Sequence, residues 1–229
     1  KLIQWSRFAT VVALVGTAGC KSLEVTNPNS PAAARAFSDP GAVAGLVTGA
    51  MRNWVQTRQA YDGALVLSTM ADAYTASWNN FNLRYYTSYG NECPERCGWD
   101  NRVTSNFRIQ VETYWYGFYG ILSSVNDVLT AIRHNNVIVV SAANTKQLEA
   151  ISVMLQGVVF STIALNYDQG FIVDENTDLS DPLSLPLATR AQLRDAAILK
   201  LNEAATLMAA TPFATTPSTW LGTVNGPQY

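Results

Sequence analysis

The sequence predicts an all-α protein, and two observations support that fold class. First, 48% of its 229 residues are hydrophobic and 14% are charged, a composition typical of a chain that folds around an extended core. Second, three long segments carry apolar residues at spacings of three and four, the period of a helix with one buried face. No alternating strand pattern runs over comparable lengths of the sequence. We therefore expect helices that stack on one another.

The strongest periodic segment runs from about residue 103 to residue 134 and predicts one long helix. Eight positions form its apolar stripe: Phe107, Val111, Trp115, Phe118, Leu122, Val125, Leu129 and Ile132. A stripe of this length requires burial against more than one neighbouring helix. His134, the one histidine in the chain, follows this stripe directly, a position that suits a C-terminal cap.

Shorter helices are predicted before this segment. Asp39 and Pro40 can cap and open a first helix. Its apolar stripe comprises Val43, Val47, Met51 and Trp54. Residues 61–73 predict a second, short helix.

Two further helices are predicted after the long segment. The first has a stripe formed by Leu148, Ile151, Leu155, Val158 and Leu165, and its Gly157 and Ala164 are small enough to let another helix approach. The second begins at Thr189, which has the capping-box spacing to Gln192. Its stripe comprises Ile198, Leu201, Ala205 and Met208.

The first twenty residues have the order of a secretory signal. A positive flank precedes an apolar run at residues 8–18, which is too short to span a bilayer, and small residues lead into Cys20. The sequence Thr17-Ala18-Gly19-Cys20 resembles a bacterial lipobox and predicts lipidation of Cys20 after removal of a signal peptide at 1–19. The alternative is a buried thiol beside an apolar run.

The composition of the rest of the chain indicates a tether followed by a helical domain. The Pro-, Asn- and Ser-rich stretch at 22–31 indicates a tether over residues 20–37, and the helical domain is expected over 38–229. Residues 225–229 are turn-forming, so we expect further elements to follow them. The net charge is −2 and the 15 Lys and Arg residues are scattered, which disfavours a nucleic-acid partner.

The remaining cysteines predict a disulfide rather than a metal site. Cys93 and Cys97 lie close together in a polar segment, and an oxidising compartment would let them pair. A zinc site would need two more ligands. Neither a metal nor a cofactor is expected.

The acidic segment 174–181 invites comparison with a calcium loop. Asp174, Asn176 and Asp178 match the first three ligand positions of an EF-hand. Leu179 stands where that loop needs Gly, and Leu185 stands where it needs Glu. A solvated loop is therefore favoured.

Aromatic residues concentrate between residues 74 and 99, where seven of 26 positions are Trp, Tyr or Phe. Aromatic rings can cover the apolar face of a sugar, and the Asn and Arg residues among them can bond its hydroxyls. The alternative is that these rings pack a long loop onto the helices. The residue types leave both interpretations open.

The order of these parts resembles the SusD/RagB family of outer-membrane nutrient-binding lipoproteins. The resemblance rests on the lipobox, the tether, the Trp115, Tyr119 and Asn126 pattern on the long helix, and the run from 168 to 173. Residues 148–168 and 190–208 are similar to the family's following helices. Family chains are generally longer than this one.

The resemblance implies a fold and a function. The fold would be tetratricopeptide-like helix pairs forming an α-α superhelix with long irregular loops. The protein would be lipid-anchored and exposed at the outer membrane, and would deliver glycans or other nutrients to a SusC-like TonB-dependent transporter. The candidate ligand-binding residues that it implies are Trp78, Asn80, Phe81, Arg84 and Tyr85.

Two alternatives remain beside this function. One is a non-catalytic helical scaffold for protein–protein interaction. The other is a helical glycoside hydrolase that uses Asp72 with Glu92 or Glu95, because a pair of carboxylates at a suitable distance can cleave a glycosidic bond. The sequence has no nucleophile motif near His134, so an enzyme is not expected.

Overall fold

The structure, a computed structural model, describes residues 38–74, 102–105 and 108–210, without the side chains of 61, 62 and 111. All of these residues lie in the unit that spans Ala34–Tyr229. Helices account for 72% of the described residues and strands for 3%, which confirms the all-α class.

Five α-helices run through the described residues. They are α1 (Pro40–Arg58), α2 (Tyr61–Met70), α3 (Arg108–Leu129), α4 (Ala142–Asn166) and α5 (Arg190–Ala210). A π-helical turn, Thr130–His134, extends α3. The connection between α4 and α5 contains two short antiparallel strands, β1 (Gln169–Gly170) and β2 (Ala188–Thr189), and a 3₁₀ turn at Pro182–Ser184.

Local signals set several helix ends as predicted. The Asp39 side chain accepts a hydrogen bond from the Gly41 N–H at 2.8 Å and so caps α1, with Pro40 in the first helical position. At α5, Gln192 Oε1 accepts from the Thr189 N–H at 2.8 Å, and the Gln192 N–H donates to Thr189 Oγ1 at 3.3 Å. This reciprocal pair confirms the predicted capping box.

The long helix differs from its prediction at its start and its end. Residues 103–105, predicted as helix, belong to a turn in which the Ser105 N–H donates to Arg102 O, and the helix runs from Arg108. Phe107, predicted on the stripe, lies outside the described residues. At the end of the helix the Asn135 N–H donates to Thr130 O, five residues back, which is the π-helical bond. His134 lies in this last turn, but the C-cap position is taken by Asn135, and the His134 ring contacts Asn176 Oδ1 at 3.2 Å.

Helix α4 is the centre of the described fold. It packs mainly against α3 and α5, and it is buried on nearly every side from residue 147 to residue 157. Among the described helices it is the one long and apolar enough to cross a membrane, yet 78% of its apolar window is buried inside the protein. Burial against protein on all sides is typical of a central core helix.

Helices α3, α4 and α5 follow one another in antiparallel order. Asn126 of α3 bonds Gln156 of α4, and Arg133, further along α3, bonds the earlier residue Glu149. In the same way, Arg190 at the start of α5 bonds the Tyr167 carbonyl just after the end of α4.

The predicted stripe of α5 was wrong at three of its four positions, and only Met208 is buried as predicted. The buried residues of this helix are Leu193, Ala197, Ala204 and Met208, whereas Ile198, Leu201 and Ala205 are exposed. Two of these four buried residues are alanines, whose small side chains let two helices approach closely. Leu165 of α4, predicted to be buried, is 81% exposed and lies with Ile198 and Leu201 along an apolar groove.

Gly157 lets α5 approach α4 closely, as its size predicted. A Cβ atom at this position would lie 2.7 Å from Leu201 Cγ and 3.1 Å from the Leu201 backbone nitrogen. Gly120 of α3 offers the opposite case, because nothing lies within 4 Å of its Cβ position.

These two glycines give a matched prediction. Gly157→Ala will lower the free energy of unfolding by about 1–3 kcal/mol through overpacking. Gly120→Ala will raise it by about 0.5–1 kcal/mol, because alanine suits a helix interior better than glycine. Urea denaturation of both variants measures the difference. Equal effects at the two positions would contradict this helix packing.

Val140 holds an unfavourable backbone conformation just before α4. Its φ is 60°, and the Ser141 N–H donates to Val139 O at 2.6 Å across it, closing a γ-turn. A β-branched residue rarely adopts positive φ, because its Cβ approaches the following carbonyl oxygen. The side chain is 88% exposed, so packing does not compensate.

Replacing this residue will therefore stabilise the protein. Val140→Gly will raise the free energy of unfolding by about 1 kcal/mol, because glycine tolerates positive φ. Ile138→Gly is the control, since Ile138 is also exposed but is not among the positive-φ residues. That variant will lower the melting temperature, while Val140→Gly will raise it. A decrease with both variants would show that Val140 carries no strain.

Candidate functional site

A cleft lies beside the first half of α3. Its volume is about 580 Å³, which falls within the roughly 300–1,000 Å³ common for ligand sites. The α3 side supplies Arg108, Glu112, Trp115 and Tyr116. The connection after α4 supplies Tyr167, Asp168, Gln169, Phe171 and Leu187. We call it the aromatic cleft.

Trp115 is the centre of the aromatic cluster that gives the cleft its name. Its ring lies 5.1 Å from the ring of Tyr167 at 80° and 6.2 Å from Phe171 at 68°, both edge-to-face arrangements. Tyr119 packs on it from the next turn of α3, with ring centroids 4.8 Å apart. Such contacts fix the orientation of the rings.

Tyr116 differs from these rings in its exposure. It follows Trp115 on α3, lines the cleft and is 67% exposed. Its exposed ring gives the cleft an aromatic surface that a ligand can reach.

Polar groups flank the rings on both sides. On the α3 side, Arg108 Nε lies 3.0 Å from Glu112 Oε1, and Arg108 Nη1 donates to the Val103 carbonyl. On the opposite side, Arg190 Nη2 lies 2.7 Å from Asp168 Oδ1. Gln169 adds an exposed amide from β1.

Side chains of α3 and α4 hold the chain segment 171–175, whose first residue, Phe171, lines the cleft. The Phe171 N–H donates to Tyr119 Oη at 2.6 Å, and Tyr119 donates to the Phe171 carbonyl at 3.1 Å. Asn126 Nδ2 donates to the Val173 carbonyl at 3.1 Å. Gln156 Nε2, fully buried, donates to Glu175 Oε2 at 2.8 Å. The bonds of Tyr119 and Asn126 satisfy backbone groups that would otherwise be unpaired in an irregular segment.

A network of charges holds the end of this segment. Each guanidinium nitrogen of Arg133 contacts a different carboxylate: Nε lies 2.9 Å from Glu149, Nη1 lies 2.6 Å from Glu175 and Nη2 lies 2.6 Å from Glu203. Lys200 extends the network to Asp174 at 3.2 Å. The network therefore joins α3, α4, α5 and the connection between α4 and α5.

The ionisation of these groups follows from their partners. Burial alone would raise the pKa of Glu175, but the hydrogen bond from Gln156 and the charges of Lys200 and Arg133 outweigh it and lower the pKa. The pKa of Glu149 is lowered in the same way, against burial, by Lys146 and Arg133. Both carboxylates are thus held in the charged form that pairs with Arg133.

A second, smaller cavity of about 230 Å³ lies between α3 and the segment from 171 to 185. Asp127 lines it, and burial raises the pKa of that carboxyl. Asp174, also on its wall, accepts bonds from the Asn176 N–H and the Thr177 hydroxyl at 3.1 Å each. Within residues 38–74, 102–105 and 108–210, no group of three His, Cys, Asp or Glu side chains could hold a metal ion.

Arg133 gives the sharpest test of this arrangement. Arg133→Met will lower the free energy of unfolding by about 3–5 kcal/mol, because it leaves buried carboxylates without their cation. Arg194→Met is the matched control, since Arg194 pairs only with the exposed Asp195 in the described residues. The control will change the free energy of unfolding by less than about 0.5 kcal/mol. Urea denaturation at neutral pH measures both, and equal losses would refute a central role for Arg133.

The site residues predicted from the sequence lie outside the described residues. These are the lipidation site Cys20, the candidate disulfide Cys93 and Cys97, and the candidate ligand-binding residues Trp78, Asn80, Phe81, Arg84 and Tyr85. The signal peptide at 1–19 and the tether at 20–37 lie outside them too. Of the carboxylates considered for hydrolysis, Asp72 is described, in the turn after α2, whereas Glu92 and Glu95 are not.

Sequence reasoning missed the aromatic cleft. It assigned Trp115 to a buried stripe and did not consider Tyr116, Tyr167 or Phe171 as binding residues. One signal was available, because Tyr116 is an aromatic residue outside the apolar stripe of an amphipathic helix. The approach of Tyr167 to Trp115 has no counterpart in the local sequence.

Comparison with known proteins found no match among family models, curated proteins or solved structures. A function for this chain therefore has to follow from its own residues and their contacts.

Proposed function

We propose that this chain is a SusD/RagB-type surface lipoprotein of the bacterial outer membrane. In this role it is anchored through a lipid on Cys20, binds glycans or other oligomeric nutrients, and delivers them to a SusC-like TonB-dependent transporter. The protein has no catalytic role in this proposal. Its ligand contacts include the aromatic residues of segment 74–99.

One observation carries the proposal: the dispersed residues behind the family resemblance form one contact set. Trp115 packs on Phe171, Tyr119 bonds the Phe171 backbone on both sides, and Asn126 bonds the Val173 carbonyl. In the sequence these are separate short patterns, on a helix and on the run from 168 to 173. Their direct contact supports the view that they belong to a single structural motif.

The antiparallel order of α3, α4 and α5 is compatible with the tetratricopeptide-like helix pairs of the proposal. Such pairs place small residues where helices approach closely, as Gly157 does against Leu201. A superhelix of these pairs would leave its connections free to carry ligand contacts.

Ligand binding gives the direct test. The full chain, purified from a bacterial envelope, will bind at least one oligosaccharide in a broad glycan panel measured by calorimetry. Trp78→Ala will weaken that binding, because it removes an aromatic surface for a sugar ring. Leu199→Ala, an exposed apolar change on α5, is the control and will leave the affinity unchanged. Mass spectrometry of the same sample will find a lipid on Cys20.

Other results would favour the alternatives. A folded protein that binds no glycan but still co-purifies with a TonB-dependent transporter would indicate a helical scaffold. Shortened oligosaccharides in the assay would indicate a hydrolase, for which Glu112 and Asp168, both lining the aromatic cleft, are the described carboxylates to test. Each of these carboxylates is paired with an arginine, and we therefore favour binding over cleavage.

A further inference from the structure

We infer that the aromatic cleft is a binding site for a neutral sugar ring of an oligosaccharide. This inference rests on the proposed function, which supplies the glycan class, and goes beyond it by assigning a site and a charge preference. The site lies between α3 and the connection after α4, and it is built from described residues alone.

The rings supply the apolar part of the site. A pyranose has a face of C–H groups that a flat aromatic ring can cover, and Tyr116 offers a largely exposed ring at the cleft. Trp115 and Tyr167 support that side of the cleft through their edge-to-face contact. A surface fixed in this way loses little conformational entropy when a ligand binds.

The polar residues supply directional bonds. Gln169 carries both an amide donor and an amide acceptor, the combination that a sugar hydroxyl can use. Its backbone is fixed because β1 pairs with β2, placing Gln169 opposite Thr189. Glu112 and Asp168 add carboxylate oxygens, which accept hydrogen bonds from hydroxyl groups.

The charges of the cleft favour a neutral ligand. Arg108 is paired with Glu112, and Arg190 is paired with Asp168, so each described cation at the cleft already has a carboxylate partner. A uronate or sulfate group would have to compete with these carboxylates and would meet their negative charge. The hydroxyl groups of a neutral sugar carry no charge, so the carboxylates do not repel them.

Calorimetry of the full chain tests this inference with two ligand sets. One set contains neutral gluco-, xylo-, manno- and galacto-oligosaccharides, and the other contains oligogalacturonate and alginate fragments. We expect binding from the neutral set. Tyr116→Ala will weaken that binding about threefold to tenfold, the effect of one aromatic contact. Gln169→Ala will weaken it as well, while Leu199→Ala will not.

Tyr116→Ala removes an exposed side chain, so we expect this variant to keep its fold. Circular dichroism of the variant checks this. Unchanged affinity in both cleft variants, with a neutral glycan bound by the wild type, would overturn this inference and leave the proposed function standing. Tighter binding of the acidic set would overturn it too. No binding of any glycan by the folded wild type would defeat the proposed function itself.

Discussion

The contact of one arginine with three carboxylates is the interaction on which the rest of the described structure depends. Arg133 lies in the π-helical turn that ends α3, and its carboxylate partners come from α4, α5 and the connection between them. Its side chain is 23% exposed, so the charges are only partly screened by water. The hydrogen bonds that Arg133 donates to Glu203, Glu149 and Glu175 outweigh burial and raise the pKa of Arg133, which keeps it charged. Removing one partner would leave the other charges buried without compensation.

This network also helps to hold an irregular segment whose first residue, Phe171, lines the aromatic cleft. Segment 171–175 has no repeating backbone bonds of its own, so helix side chains must satisfy its polar groups. Tyr119 and Asn126 do so for Phe171 and Val173, and the network holds Glu175. Phe171 thereby takes a fixed place against Trp115. The geometry of the aromatic cleft thus depends on contacts made well outside it, and a variant of Arg133 would disturb the cleft through this segment.

Close helix packing and an open cleft occur together because different residues control them. Gly157 of α4 leaves room for Leu201 of α5, and the buried residues of α5 include the small Ala197 and Ala204, whereas the large side chain of Ile198 is exposed. At α3, Trp115 packs edge to face on Tyr167, and the aromatic cleft lies between this helix and the connection after α4.

The sequence by itself determined the helices, their caps and the buried face of α3. The Asp39 cap and the Thr189–Gln192 box act over two or three residues, and the α3 stripe has a local period, so neither needs distant contacts. Only the tertiary structure decided which face of α5 is buried and which groups meet at Arg133, whose partners lie 16, 42 and 70 residues away. It also decided that Tyr167 would meet Trp115. Such pairings depend on the register between packed helices, and no local pattern of residues encodes that register.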